Sequence, residues 1–353
     1  MSQARRAQQD AAILEKYFFD DPRFSFRGLV AYGNYGAAFR VTYKDPKRQI
    51  MGQFLVKKAF ATEGAVEALS REKIYLKKLR GAMHIVQMID IPNNPLSNRS
   101  RTDLPDIGDD WVIMEWLEHG TIGSFITKAR SAGFARLPNR LLWRFFLCLI
   151  RGCIAMAWPP NRNDGVVGIE EIQRTTPSKL VHNDIHAENV LLAEPPLDGE
   201  HTICPILKLI DFGVAGEWSW GEGSASAVQS NIWEIGKVMV CLIRLRVPGN
   251  VNNNGGHYFQ MVDGGPQIET DAKEILPLNG QGAPCPNLDL LLGRLVCACL
   301  ATNHVNRPNL EELSTIVVDA VRTRGAGFYG NITEEQDDTI PSLWRQIVNY
   351  SYD

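Results

Sequence analysis

Val181-His182-Asn183-Asp184-Ile185-His186-Ala187-Glu188-Asn189 and Lys208-Leu209-Ile210-Asp211-Phe212-Gly213 are the two stretches that decide how this chain is read. Eighteen residues, 190 to 207, separate them. Each stretch adjoins a short apolar run of strand character, Val190 to Ala193 and Ile206 to Ile210. Asp184 is a carboxylate able to accept a proton from a hydroxyl. Asn189, five residues on, and Asp211 both present hard oxygen donors of the kind magnesium requires. A lone Asp-Phe-Gly carries little weight. Two polar elements in this order, each beside a strand, carry much more.

Working outward toward the N-terminus, Phe26 to Tyr32 and Ala38 to Lys44 alternate as strands around the turn Gly33-Asn34-Tyr35-Gly36, and Ile50 to Ala59 supplies a third. Glu63 to Arg80 has helical periodicity. His84 to Ile91 and Trp111 to Trp116 are expected as two further strands, with a polar surface insertion, Pro92 to Asp110, between them. After Gly120 the character becomes helical. Leu141 to Trp158 is a long core helix, Pro159 to Ser178 a second polar insertion, and helical patterns recur at Gln229 to Arg244, Leu288 to Leu300 and Leu310 to Val321. An Asn/Gly-rich region, Pro248 to Pro284, reads mostly as loop.

The two opening stretches resemble the catalytic loop, H-R-D-x-x-x-x-N, and the D-F-G magnesium motif of the protein kinase superfamily. The resemblance runs from about Phe24 to Val321. The turn containing Gly33 and Gly36 is similar to the glycine-rich phosphate loop, with Ala31 in place of its first glycine. In Phe54-Leu55-Val56-Lys57-Lys58, Lys57 aligns best with the phosphate-contacting lysine and Lys58 competes; strand alternation sends the two to opposite faces. Glu72 takes the place of the lysine's carboxylate partner. Met114 would sit behind an adenine, and Glu115 and Leu117 would offer it backbone groups. Cys299 to Pro308, containing Asn306-Arg307-Pro308, is similar to the family's late helix-loop-helix signature.

The resemblance implies an α+β, bilobal protein-kinase-like fold, with a small β-rich N-lobe carrying one helix and a larger α-helical C-lobe. Its boundaries are an N-terminal extension at 1–23, the N-lobe at 24–117, the C-lobe at 118–323 and a tail at 324–353. It implies an enzyme using ATP and Mg2+ to phosphorylate a hydroxyl, with protein Ser/Thr favoured. Asp184 would be the base, Lys57 and Glu72 would position phosphates, and Asn189 and Asp211 would hold the metal.

Three departures matter. Asn183 replaces the arginine that answers an activation-loop phosphate. His186 replaces a lysine, so that H-x-D-x-H-x-x-N also resembles small-molecule kinases of the aminoglycoside and choline type. The segment Val214 to Ser230 is short and lacks an A-P-E triplet, and the aspartate that braces the loop is Asn231. A small-molecule kinase and an ATP-binding pseudokinase acting as a scaffold are therefore the alternatives.

The 353 residues carry a net charge of −3 and no dense basic cluster, so neither a nucleic-acid nor an anionic-membrane partner is expected. Arg144 and Arg151 interrupt the most apolar stretch, which favours a buried helix over a membrane span. Met1 to Asp10 lacks a signal-peptide core. The seven scattered cysteines form no C-x-x-C pair and read as buried thiols of a reducing, intracellular compartment, cytoplasmic or nuclear.

Overall fold

Alternation between residues 24 and 115 produces a four-stranded antiparallel sheet. The computed structural model describes residues 2–45, 50–98, 104–196, 199–218, 225–247 and 256–351. Parts of the 92–110 insertion, of the short 214–230 segment and of the Asn/Gly-rich region thus lie outside the described residues. Strands β1 (Phe24–Tyr32), β2 (Gly36–Asp45) and β3 (Ile50–Ala59) pair in sequence, and β4 (Trp111–Glu115) follows β3. Phe39, Val41, Phe54 and Val56 are buried at every second position, as a half-buried sheet requires. The amide of Gly33 donates to the Gly36 carbonyl at 2.9 Å and closes the β1–β2 turn. A Cβ on Gly36 would lie 2.3 Å from the Lys58 carbonyl oxygen, so β2 and β3 approach closely only because this residue is glycine.

Two helices accompany the sheet. Helix α1 (Gln3–Phe19) begins at Ser2, whose side chain accepts from the Arg5 amide. It buries Ala7, Leu14, Tyr17 and Phe18, and the Phe18 ring lies 5.3 Å from that of Phe24. Burial of a phenylalanine of this kind contributes about 2–3 kcal/mol. The polar opening of the chain concealed this helix from sequence reading. Helix α2 (Glu63–Lys78) follows β3 and turns Glu72 inward.

The remainder is largely helical. The segments are α3 (Ile122–Ser131), α4 (Asn139–Ala157), α5 (Ala227–Arg244), α6 (Leu290–Cys299), α7 (Leu310–Thr323) and α8 (Thr339–Val348). Helix α4 is buried along nearly its whole length, which its apolar sequence demands. Arg151 is its one residue that is not fully buried; it pairs with Glu200 and donates to the Glu170 carbonyl at 2.6 Å. The first turn of α4 is capped from far away. Glu335 accepts from the amides of Asn139 at 2.7 Å and Arg140 at 3.0 Å. Among the described residues no helix is long and apolar enough to cross a membrane.

Short antiparallel pairs complete the structure: β5 (Leu180–Val181) with β8 (Gly216–Glu217), and β6 (Val190–Ala193) with β7 (Ile206–Leu209). One expectation is corrected. The 84–91 segment forms no strand. Ile85 bridges Leu209 in parallel and Met88 bridges Met114 antiparallel, so its hydrogen bonds are divided between two partners and neither row extends. The Gln87 side chain takes the carbonyls of Ala82 and Ile85 instead. The tail also resolves: α8 packs on α3, Trp344 is buried, and Lys128 donates to the Val348 carbonyl.

Candidate functional site

Strand alternation separates the two adjacent lysines. Lys57 points inward, with Nζ 2.6 Å from Glu72 Oε2 and 2.9 Å from Asp211 Oδ1. Lys58 points outward and pairs with Asp10 of α1 at 2.9 Å. Burial alone would lower the Lys57 ammonium, but the two carboxylates outweigh it and hold its pKa above the ordinary lysine value. For Glu72, burial is the larger influence and pushes the carboxyl up despite Lys57. Asp211 lies lower than an ordinary aspartate, because Lys57 outweighs the cost of its partial burial. Lys57 is therefore shared between two acids.

The loop between β5 and β6 is tied at each end. Asn189 Nδ2 donates to the Asp184 carbonyl at 2.9 Å and to Asp184 Oδ2 at 3.0 Å. With its nitrogen so engaged, the amide has its oxygen left as a donor for a cation. His186 Nε2 stands 3.4 Å from Asp184 Oδ1, and its Nδ1 accepts from the Glu188 amide at 3.2 Å. Both Asp184 and His186 are nearly half exposed, at 45% and 48% of their side-chain surface, so an outside group can reach them. The loop is braced from below by Asn231, which accepts from the His182 amide and donates to the Leu180 carbonyl. Burial drives the His182 imidazole down to about 4, and its neutral ring gives Nε2–H to the Ile210 carbonyl at 3.0 Å.

Two residues of this site hold left-handed backbone without being glycine: Asn183 at φ 67° and Asp211 at φ 65°. Strain of this kind costs about 1–3 kcal/mol and persists only where the surroundings enforce it. Here Asn183 Nδ2 donates to the Val214 carbonyl, and Lys57 holds the Asp211 carboxylate. A Cβ at Gly123 would lie 1.8 Å from Glu188 Oε1, so the first turn of α3 carries glycine where the loop passes. Thr121 Oγ1 fixes that same carboxylate at 2.7 Å.

A cleft of about 710 Å³ lies over these groups. Gly33, Gly36, Lys57, Glu72, Met114, Glu115, Leu117, Asn189 and Asp211 all line it. Asp184 and His186 do not line it, and Asn189 Nδ2 ties the Asp184 carboxylate to its edge. The amide of Glu115 is engaged by the Gln87 carbonyl, and its carboxylate takes Lys208 at 2.6 Å, so this side chain is a brace. Leu55 and Leu191 add apolar walls that only the folded arrangement identifies. Glu234 was also missed by sequence reasoning. It accepts from the Ile185 amide at 3.2 Å beneath the loop, and burial raises its carboxyl to about 7. Arg307 finds backbone partners, donating to the carbonyls of Ala301 and Gln229, beside the Trp233 ring. No family model matches the chain, and no curated protein matches its sequence.

Proposed function

We propose that this chain has a bilobal, protein-kinase-like fold and is a phosphotransferase that takes ATP with Mg2+ in the cleft between sheet and helices. The observation that carries the reading is Lys57 held by Glu72 and Asp211 in the cleft that Asn189 also lines. The apolar walls at Leu55, Leu191 and Met114 suit a flat aromatic base. Lys57 supplies positive charge for phosphate oxygens. Asn189 and Asp211 fit the metal because both offer oxygen and the Asn189 nitrogen is turned to Asp184. Magnesium, when bound, neutralises phosphate charge as it develops. Asp184, open to solvent and oriented by Asn189, orients the acceptor hydroxyl and takes its proton. A protein Ser/Thr hydroxyl is the favoured acceptor.

A second reading keeps the same chemistry on a small-molecule hydroxyl. It is favoured by His186 beside Asp184 and by Arg307, whose backbone partners replace the glutamate of a peptide-docking platform.

Calorimetric titration with ATP at millimolar magnesium tests the nucleotide site, and absence of binding removes both readings. Turnover of radiolabelled ATP against protein substrates and then against metabolite pools separates them. Binding without turnover on either would make the chain a nucleotide-binding scaffold.

A further inference from the structure

Behind the β6–β7 pair, away from the cleft, three metal-ligating side chains from distant parts of the sequence meet. His84 follows α2, Cys148 lies in α4, and His201 precedes β7. All are buried, at 1%, 2% and 2% exposure. His84 Nε2 lies 3.2 Å from His201 Nε2, and Cys148 Sγ lies 3.3 Å from that same nitrogen. The three ligand atoms all fall within 4.8 Å of one another.

We propose that this cluster is a structural zinc site. Zinc bonds of about 2.05 Å to nitrogen and 2.3 Å to sulfur at tetrahedral angles put two nitrogens about 3.3 Å apart and a nitrogen about 3.6 Å from sulfur. The observed separations approach both edges of that tetrahedron. The proton count points the same way. Glu170, itself buried, takes His84 through Nδ1 at 2.7 Å and also accepts the His84 amide at 2.7 Å. With Nδ1 committed to a carboxylate, Nε2 is the ligating atom, in the carboxylate–histidine–metal arrangement that orients zinc ligands. Two imidazole nitrogens and a thiol converge with no oxygen donor among them, which selects a borderline-soft cation over magnesium or calcium.

Cys204, whose sulfur lies outside the 4.8 Å group of the other three, would complete the set by turning inward. It is fully buried and stands three residues after His201. Its Sγ rests 3.9 Å from the Glu200 carbonyl. With Cys204 turned in, two histidines and two cysteines would form a site of the closed structural kind. Sequence spacing conceals it, because the ligands are contributed by three separate segments. Its position gives it a purpose. The His84 carbonyl accepts from the Leu209 amide at 2.9 Å, so the ion would fasten the 84 loop, α4 and the 199–205 loop around β7. The inference is independent of the phosphotransferase reading.

The test uses the full chain expressed with zinc supplementation. Elemental analysis is expected to find one zinc per chain, and removal by chelator to lower the melting temperature by about 10 °C or more. Cobalt(II) titrated into the chelated protein should give tetrahedral absorption with thiolate charge transfer, and zinc should abolish it. His201→Gln should lose the metal, whereas Cys285→Ala, a half-buried thiol outside the cluster, should retain it. Cys204→Ala should leave the charge-transfer intensity of one thiolate in place of two; unchanged intensity would overturn the Cys204 assignment. Wild-type protein that takes up neither cobalt nor zinc, with a melting temperature indifferent to chelator, overturns the site whether or not the variants fold.

Discussion

The two faces of the β-sheet hold their lysines differently. On the outer face Lys58 meets one carboxylate, Asp10, and the charges cancel. On the cleft face Lys57 meets two, Glu72 and Asp211, and one negative charge is left over in a partly enclosed space. A balanced pair needs nothing further. An uncompensated charge in low dielectric is costly unless something outside the chain completes it. On our proposal an incoming magnesium ion offsets that charge at the cleft face, whereas the outer face is finished when the chain has folded.

The widest gap should appear in turnover. Lys57→Met is expected to reduce phosphoryl transfer about a thousandfold, or about 4 kcal/mol of transition-state stabilisation, while Lys58→Met leaves the rate of the folded protein unchanged. The reverse result would break the comparison. Asp184→Asn should cause a loss of about 10²–10⁴-fold with ATP affinity retained in calorimetry.

Packing away from the cleft should affect stability alone. Trp344→Ala removes a fully buried ring between α8 and α3 and is expected to cost about 3–5 kcal/mol in denaturant titration. Turnover per folded molecule should hold. Lys58→Met should cost about 2 kcal/mol, because it strands Asp10 in a mostly buried position.

The smallest effect sharpens the contrast beneath the 182–189 loop. Burial raises the Glu234 carboxyl to about 7 from an ordinary 4.5. Between those values the unfolded chain has released its proton and the folded chain has not, so this group makes stability fall as pH rises through that window. Glu234→Gln should therefore be more stable than wild type above pH 7, by about 1–2 kcal/mol, with the difference vanishing below about pH 4.5. A difference independent of pH would show that Glu234 is not held protonated.

Much of this arrangement was legible before the fold was known. The sheet, α2 and α4 follow from period-two and period-3.6 patterning. Lys57, Glu72, Asn189 and Asp211 were picked out by order along the chain, and they meet in one cleft. What escaped notice did so for physical reasons. Helix α1 begins among Gln and Arg residues, and only four of its side chains are buried. The 84–91 run has strand composition but shares its bonds between two neighbours, which no local pattern reveals. The histidine and cysteine cluster depends on contacts across more than fifty positions, beyond the reach of any spacing rule.

The cap on α4 has a consequence for synthesis. Glu335 satisfies the amide of Asn139, 196 residues earlier in the chain. At about 5–20 residues per second, this long buried helix waits about 10–40 s after emerging from the ribosome before its capping carboxylate follows. During that interval its first turn has no partner and its apolar surface is exposed to other nascent chains. A chaperone that shelters α4 until the C-terminal segment is released would raise the yield of folded protein more than one acting on the sheet, whose strands pair within their first hundred or so residues.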